Sequence, residues 1–172
     1  MLKNFIQSIE TVVEWVGKAV AWLTLLLVLI MCFDVIRRYL FRTTSVAFIE
    51  LEWYLFSMIF LLAASYTLKH DKHVRVDVFY ASLSDYKKAW VNMLGALFFL
   101  FPFCLVVIYA SSKYVLVSYG YQEGSPDPGG LPARYLIKAV IPIGFVLLLM
   151  QGIASFLNNL YTIYSHYQHK NS

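Results

Sequence analysis

The sequence from Ala47 to Asp77 reads AFIELEWYLFSMIFLLAASYTLKHDKHVRVD. Two carboxylates, Glu50 and Glu52, stand before an apolar run that ends at Leu68, and a dense group of charged residues and histidines follows that run. About 20 apolar residues are the length that a helix needs to cross a bilayer's hydrocarbon core of roughly 30 Å. Because the charges lie at the two ends and none lies in the middle, we expect this segment to span a membrane.

The composition of the whole chain extends this prediction. Of its 172 residues, 60% are hydrophobic and 14% are charged, which is far outside the range of an ordinary soluble domain. The net charge of +4 is scattered over the connections between apolar runs and forms no continuous stripe, which argues against nucleic-acid binding. Cys32 and Cys104 lie inside apolar runs, where a free cysteine packs as a small hydrophobe. We therefore predict an all-α integral membrane protein with one domain, residues 1–172.

The apolar runs predict four transmembrane helices, at about residues 19–36, 46–68, 89–117 and 133–157. Residues 1–18 carry apolar side chains at a helical spacing and predict an N-terminal interfacial helix. The segment that begins at Val74 alternates like a strand, but a lone strand beside a membrane leaves its backbone groups unpaired. We therefore predict a short interfacial helix at about 74–83, between spans two and three. Pro102 should kink the third span.

One acidic residue, Asp34, lies in the last turn of the first predicted span. It stands three and four residues before Arg37 and Arg38, so all three side chains share one helix face. This spacing predicts an ion pair at the membrane interface.

Lysines and arginines are divided unequally between the two sides of the predicted membrane. The N-terminus, the connection after span two and the C-terminal tail together hold more of them than the other two connections. The positive-inside rule then predicts that both termini lie in the cytoplasm. The segment 119–132, rich in glycine and proline, is predicted to be an exposed loop on the outer side.

The sequence offers few residues with which this chain alone could bind a cofactor, catalyse a reaction or transport a solute. The histidines all fall outside the predicted spans, which argues against a haem held between helices and leaves only weak pairs for a metal: His70, His73, His166 and His169. We expect no cofactor and no catalysis. The centres of the spans are apolar, so a polar solute has little to bind there. An alternative function is a membrane anchor subunit of a redox complex, whereas a small self-assembling multidrug exporter would require a midplane carboxylate.

Glu50 and Glu52 allow two interpretations. Carboxylates in the first turn of a helix complement its dipole, which is a purely structural role. Residues two apart point to different faces of a helix, however, so one contact does not account for both of them. We therefore hypothesise that one of the two binds a partner subunit, and leave open which one.

Several motifs resemble one family of transporter subunits. The run Glu50-Leu51-Glu52-Trp53 and, above all, His73-Val74-Arg75-Val76-Asp77 resemble the small membrane subunit of tripartite ATP-independent periplasmic (TRAP) transporters, the DctQ-like family. The segment Ser125-Pro126-Asp127-Pro128-Gly129-Gly130-Leu131-Pro132 extends the resemblance toward the C-terminus. The family often has adjacent acids before its second span, whereas Leu51 separates the two acids here.

The resemblance implies a division of labour between three proteins. In this family a soluble periplasmic protein captures an organic acid, and a large permease subunit moves it by a sodium-driven elevator motion. The small subunit packs against the permease and enlarges its static scaffold in the inner membrane. The implied partners are thus the large permease, the periplasmic substrate-binding protein and membrane lipid, without nucleic acid.

The candidate partner or interface contacts are Glu50, Glu52, Trp53, His73, Arg75, Asp77, Gly129, Gly130, Leu131 and Pro132. Two interpretations of the histidine, arginine and aspartate of the fairly specific His-Val-Arg-Val-Asp motif stay open. They form either a self-paired interfacial anchor or a fixed contact with the large subunit or lipid headgroups. The glycine- and proline-rich loop is a hypothetical docking site for the periplasmic binding protein.

Overall fold

The computed structural model describes residues 2–70, 80 and 82–170, and these residues form long helices without a strand. The helices are α1 (Leu2–Leu40), α2 (Val46–Lys69), α3 (Asp85–Gly95), α4 (Phe101–Gly120) and α5 (Arg134–Lys170). A π-helical turn, Ala96–Leu100, joins α3 to α4, so that Asp85–Gly120 forms the third of four helices long and apolar enough to cross a membrane. The predicted all-α fold with four candidate membrane spans is confirmed.

The N-terminal part of the chain differs from the prediction. We expected an interfacial helix over residues 1–18 and a separate span after it, but α1 is a single unbroken helix. The apolar residues at helical spacing, Ile6, Ile9 and Val13, are buried in a cluster with Ala154 of α5. That spacing therefore marks a contact between helices and not a stripe facing the membrane surface. The second predicted interfacial helix, at 74–83, falls largely outside the described residues.

The fourth span is the centre of the assembly. Helix α5 packs against α1, α2 and the third span, whereas the third span packs mainly on α5. Of the most apolar stretch of α5, 28% is buried inside the protein, against 6% of the corresponding stretch of the third span. The chain thus forms an open helical assembly that leaves broad apolar faces uncovered, which a membrane or a partner can cover.

The third span is irregular where a kink was expected. Pro102 is the second residue of α4, and the turn just before α4 is π-helical. Proline has no N–H to bond the carbonyl of Phe98, four residues earlier, and its ring crowds that carbonyl. The wider π-helical turn accommodates this clash.

Helices α2 and α5 make a close contact at Gly144. A Cβ atom on this residue would lie 2.9 Å from the backbone oxygen of Leu61, nearer than real Cβ atoms come. Small residues allow such close packing of membrane helices. The glycine is therefore needed for the α2–α5 contact.

We predict that Gly144→Ala lowers the stability of the purified protein in detergent by about 1–3 kcal/mol, because the added methyl group pushes against backbone that cannot rotate away. The matched control is Gly95→Ala, where a Cβ atom would meet no atom within 4 Å. That control should be neutral or slightly stabilising, since alanine favours helix more than glycine does. Thermal unfolding followed by circular dichroism compares the two, and equal melting temperatures would contradict the close contact.

Candidate functional site

The loop of residues 121–133, which we call the outer loop after its predicted side of the membrane, forms a compact turn between α4 and α5. The Ser125 amide donates to the carbonyl oxygen of Leu131 at 3.0 Å, and the Gly130 amide donates to the carbonyl oxygen of Asp127 at 3.0 Å. Gly129 has a φ of 78°, a conformation that glycine adopts without strain. The loop predicted from its breakers thus has a defined internal structure.

Glu50, the fifth residue of α2, joins this loop to the helices. Its Oε1 accepts hydrogen bonds from the Ser125 hydroxyl at 2.5 Å and from Arg134 Nη2 at 3.1 Å. Its Oε2 accepts a hydrogen bond from the Leu131 amide at 2.6 Å. Glu50 is buried, so these donors replace the water that its charge would otherwise bind. We call Glu50, Ser125, Leu131 and Arg134 the carboxylate clamp.

Gly130 is part of the same packing. A Cβ atom there would lie 2.7 Å from Glu50 Oε2 and 2.3 Å from the Ser125 hydroxyl oxygen. Any larger residue would push the carboxylate away from its donors. The clamp therefore requires a glycine at position 130.

A second carboxylate, Glu123, holds both ends of the outer loop. Its Oε2 accepts hydrogen bonds from the Ser118 hydroxyl of α4, at 2.6 Å, and from the ammonium of Lys138 of α5. The Arg134 amide donates to the carbonyl oxygen of Glu123 at 2.8 Å. The Lys138 ammonium, followed by the Ser118 hydroxyl, holds the pKa of Glu123 below its ordinary value. This carboxylate thus joins α4 to α5 across the loop.

The predicted contact residues separate into different environments. Glu50, Gly130 and Leu131 come together in the clamp, whereas Trp53 is 69% exposed on the outside of α2. Glu52 is partly exposed and has no hydrogen bond or ion pair with any described residue. The two acids of α2 thus differ: Glu50 is hydrogen-bonded within the chain, whereas Glu52 bonds no described residue.

The remaining predicted contacts lie elsewhere. Gly129 and Pro132 are exposed in the outer loop, close in sequence to Leu131 of the clamp. His73, Arg75 and Asp77 lie outside the described residues, so their two interpretations stay predictions.

The predicted contact residues did not include Ser125, Arg134 or Glu123. An acid at the start of span two and an arginine at the start of span four lie on the same membrane side. Charges at a membrane boundary tend to pair, so this arrangement could have suggested a contact between Glu50 and Arg134. The sequence alone does not show that spans two and four are neighbours.

Two further contacts lie at the C-terminal end of α1. Arg38 Nη2 donates to Asp34 Oδ2 at 2.5 Å, which confirms the predicted ion pair for Arg38. Arg37 does not join it, and its guanidinium lies 4.7 Å from the centroid of the Phe48 ring.

A polar cluster lies at the opposite end of α2. Lys69 Nζ lies 2.7 Å from Glu14 Oε2, and His70 Nε2 lies 3.2 Å from the same oxygen. The Lys69 ammonium also donates to the carbonyl oxygen of Glu10 at 2.9 Å. Within the described ranges, no three histidine, cysteine or acidic residues are grouped so that they could hold a metal ion. These charges join α1 to α2.

A family model described as "Tripartite ATP-independent periplasmic transporters, DctQ component" matches residues 27–162. The matched range contains the whole carboxylate clamp and all of α2. No curated protein matches the chain.

We predict that Glu50→Gln loosens the outer loop, because an amide replaces the charged acceptor that three donors share. Hydrogen exchange of the Leu131 amide, measured by mass spectrometry on the protein in detergent, should accelerate roughly tenfold or more. Glu52→Gln is the matched control, since its carboxylate bonds no described residue, and it should leave the exchange rate unchanged. Equal acceleration in both variants would show that the clamp does not hold the loop.

Proposed function

Because this chain belongs to the DctQ component family of tripartite ATP-independent periplasmic transporters, we propose that it is the small transmembrane subunit of a sodium-coupled uptake system for organic acids. It packs against a large permease subunit and extends the static scaffold of that subunit in the inner membrane. The observation that carries the proposal is the open assembly of a multi-pass membrane protein, with only 6% of the third span's most apolar stretch buried. A larger membrane partner would cover this surface.

The buried polar groups of the described spans support a scaffold role. Ser65 donates to the carbonyl oxygen of Leu62 and Ser111 donates to the carbonyl oxygen of Val107, so each hydroxyl is satisfied on its own helix. Gln151 is buried, and its Oε1 has no hydrogen-bond partner. This unpaired oxygen is a hydrogen-bond acceptor, so it does not bind the carboxylate of a substrate. Capture and movement of the acid are therefore assigned to the partner proteins.

The outer loop is proposed to dock the periplasmic substrate-binding protein. The clamp and Glu123 hold its backbone in a fixed shape, so its exposed tip residues form a preorganised surface. Asp127 lies at this tip and is exposed. In this orientation both termini lie in the cytoplasm and the clamp lies at the periplasmic boundary.

Partner contacts are also proposed at the membrane surfaces. Glu52 and Trp53 lie at the outer end of α2, where an acid without an internal partner stands beside an exposed indole ring. His73, Arg75 and Asp77 stay proposed contacts with the large subunit or with lipid headgroups on the inner side.

Reconstitution tests the proposed function. We expect the tagged chain to retain the large permease through purification, and we expect sodium-dependent uptake of a labelled carboxylate only in liposomes that contain both subunits and the binding protein. The small subunit alone should carry no acid, because its spans lack a site for one. Uptake by liposomes holding this chain alone, or no retention of the permease, would overturn the proposal.

We predict that Asp127→Lys weakens docking at the outer loop, because it reverses a charge at the proposed contact surface. The concentration of binding protein that gives half-maximal uptake should rise roughly tenfold, and the effect should diminish at high salt. Asp85→Lys makes the same change at a side chain that is 96% exposed at the opposite end of the third span. This control should transport normally. Identical titration curves for the two variants would exclude Asp127 from the docking surface.

A further inference from the structure

A lysine lies within the third span, outside the set of predicted contact residues. Lys113 belongs to α4, and its side chain is exposed. It stands seven residues before Gly120, about 10 Å from the outer end of the helix. Its ammonium lies 4.4 Å from the centroid of the Tyr109 ring, one turn closer to the helix N-terminus. The charge thus points toward the middle of the span and away from the nearer end.

The position of Lys113 along its helix gives its depth in the span. The Lys138 ammonium of α5 lies 4.0 Å from the centroid of the ring of Tyr114, the residue next to Lys113. Lys138 is itself one turn deeper than Arg134 of the carboxylate clamp. Counted from the helix ends at the outer loop, Lys113 is about 10 Å deep and Lys138 about 6 Å deep, so both lie inside the boundary that the clamp marks.

Lys113 and Lys138 differ in exposure and in their partners. The Lys138 side chain is only 12% exposed and pairs with Glu123. Lys113 has no carboxylate partner among the described residues, and its one recorded contact is the ring of Tyr109. A charged side chain within a membrane span is costly in lipid and nearly always pairs. A cation–π contact with one ring offsets only part of that cost.

Lys113 lies on the outward face of the third span. The buried residues of α4 are Cys104, Ser111 and Ser118, which recur every seven residues on one side of the helix. Lys113 stands about 160° around the helix from Ser111 and therefore faces away from them. Exposed residues at helical spacing, Val106 and Tyr109, share its side. The unpaired charge is thus at the centre of the face that α5 does not cover.

We propose that this face, formed by Val106, Tyr109 and Lys113, packs against a membrane helix of the large subunit and that an acidic side chain of that helix pairs with Lys113. The proposal rests on the proposed function, since it requires the large subunit. Lipid chains would cover the apolar residues equally well. A carboxylate brings the opposite charge that the lysine lacks, at a depth below the lipid headgroups.

Three substitutions of Lys113 test the pairing in the co-expressed complex. Lys113→Met keeps the unbranched apolar stem and removes the charge, Lys113→Glu reverses it, and Lys113→Arg preserves it. We expect the ratio of large to small subunit after a stringent detergent wash to fall about tenfold for methionine and further for glutamate. Arginine should retain the complex. Lys87→Glu, at an exposed lysine near the other end of the same span, is the matched control and should assemble normally.

A charge-swap experiment identifies the partner. Single acids in the outer halves of the large subunit's spans are replaced by lysine, and each variant is combined with Lys113→Glu. We expect one replacement to restore assembly, a result that a change in helix stability alone does not produce. Failure of every replacement, or loss of the unsubstituted complex when phosphatidylglycerol is exchanged for phosphatidylcholine, would overturn the proposal, the second result in favour of a lipid phosphate. Normal assembly of the methionine and glutamate variants would also overturn it, whereas failure of the unsubstituted subunits to assemble would instead refute the proposed function.

Discussion

The carboxylate of Glu50 joins the helices at the end of the protein that carries the loop 121–133. It accepts hydrogen bonds from a loop hydroxyl, a loop amide and the guanidinium of Arg134, so one side chain joins α2, the outer loop and α5. The third span packs mainly on α5 and follows directly into this loop. The position of that span relative to α2 therefore depends on the clamp and on Glu123, which ties Ser118 to Lys138. Because apolar packing leaves much of these helices uncovered, such polar contacts help to hold the helices in position.

Those parts of the fold that follow from local rules could be predicted from the sequence. A bilayer requires about 20 apolar residues per helix, which locates the four spans, and a spacing of four residues brings Arg38 to Asp34. The unbroken α1 could not be predicted, because the spacing of Ile6, Ile9 and Val13 is the same whether a helix faces lipid or protein. The clamp was likewise beyond reach, since Arg134 is 84 residues from Glu50 and only the neighbourhood of α2 and α5 brings them together.

Two pairs of like charges show how the chain divides its ionisable groups. Glu50 is bonded within the chain, whereas Glu52, two residues later, has no partner among the described residues. Lys138 is bonded to Glu123, whereas the ammonium of Lys113 contacts an aromatic ring and no carboxylate of the described residues. In each pair, the member facing a neighbouring helix is neutralised and the outward member is left free. A charge at a membrane boundary can remain in contact with water, but one within the span lacks that option.

The outward lysine therefore says more about partners than the outward glutamate does. Glu52 stands in the second turn of α2, where headgroups and water can solvate it, so its isolation requires no protein partner. The ammonium of Lys113 is directed toward Tyr109 and away from the nearer membrane surface, because helical side chains lean toward the N-terminus of their helix. The same lean would carry a lysine on a span of opposite direction toward the surface. The direction of the third span thus favours a protein partner for this charge.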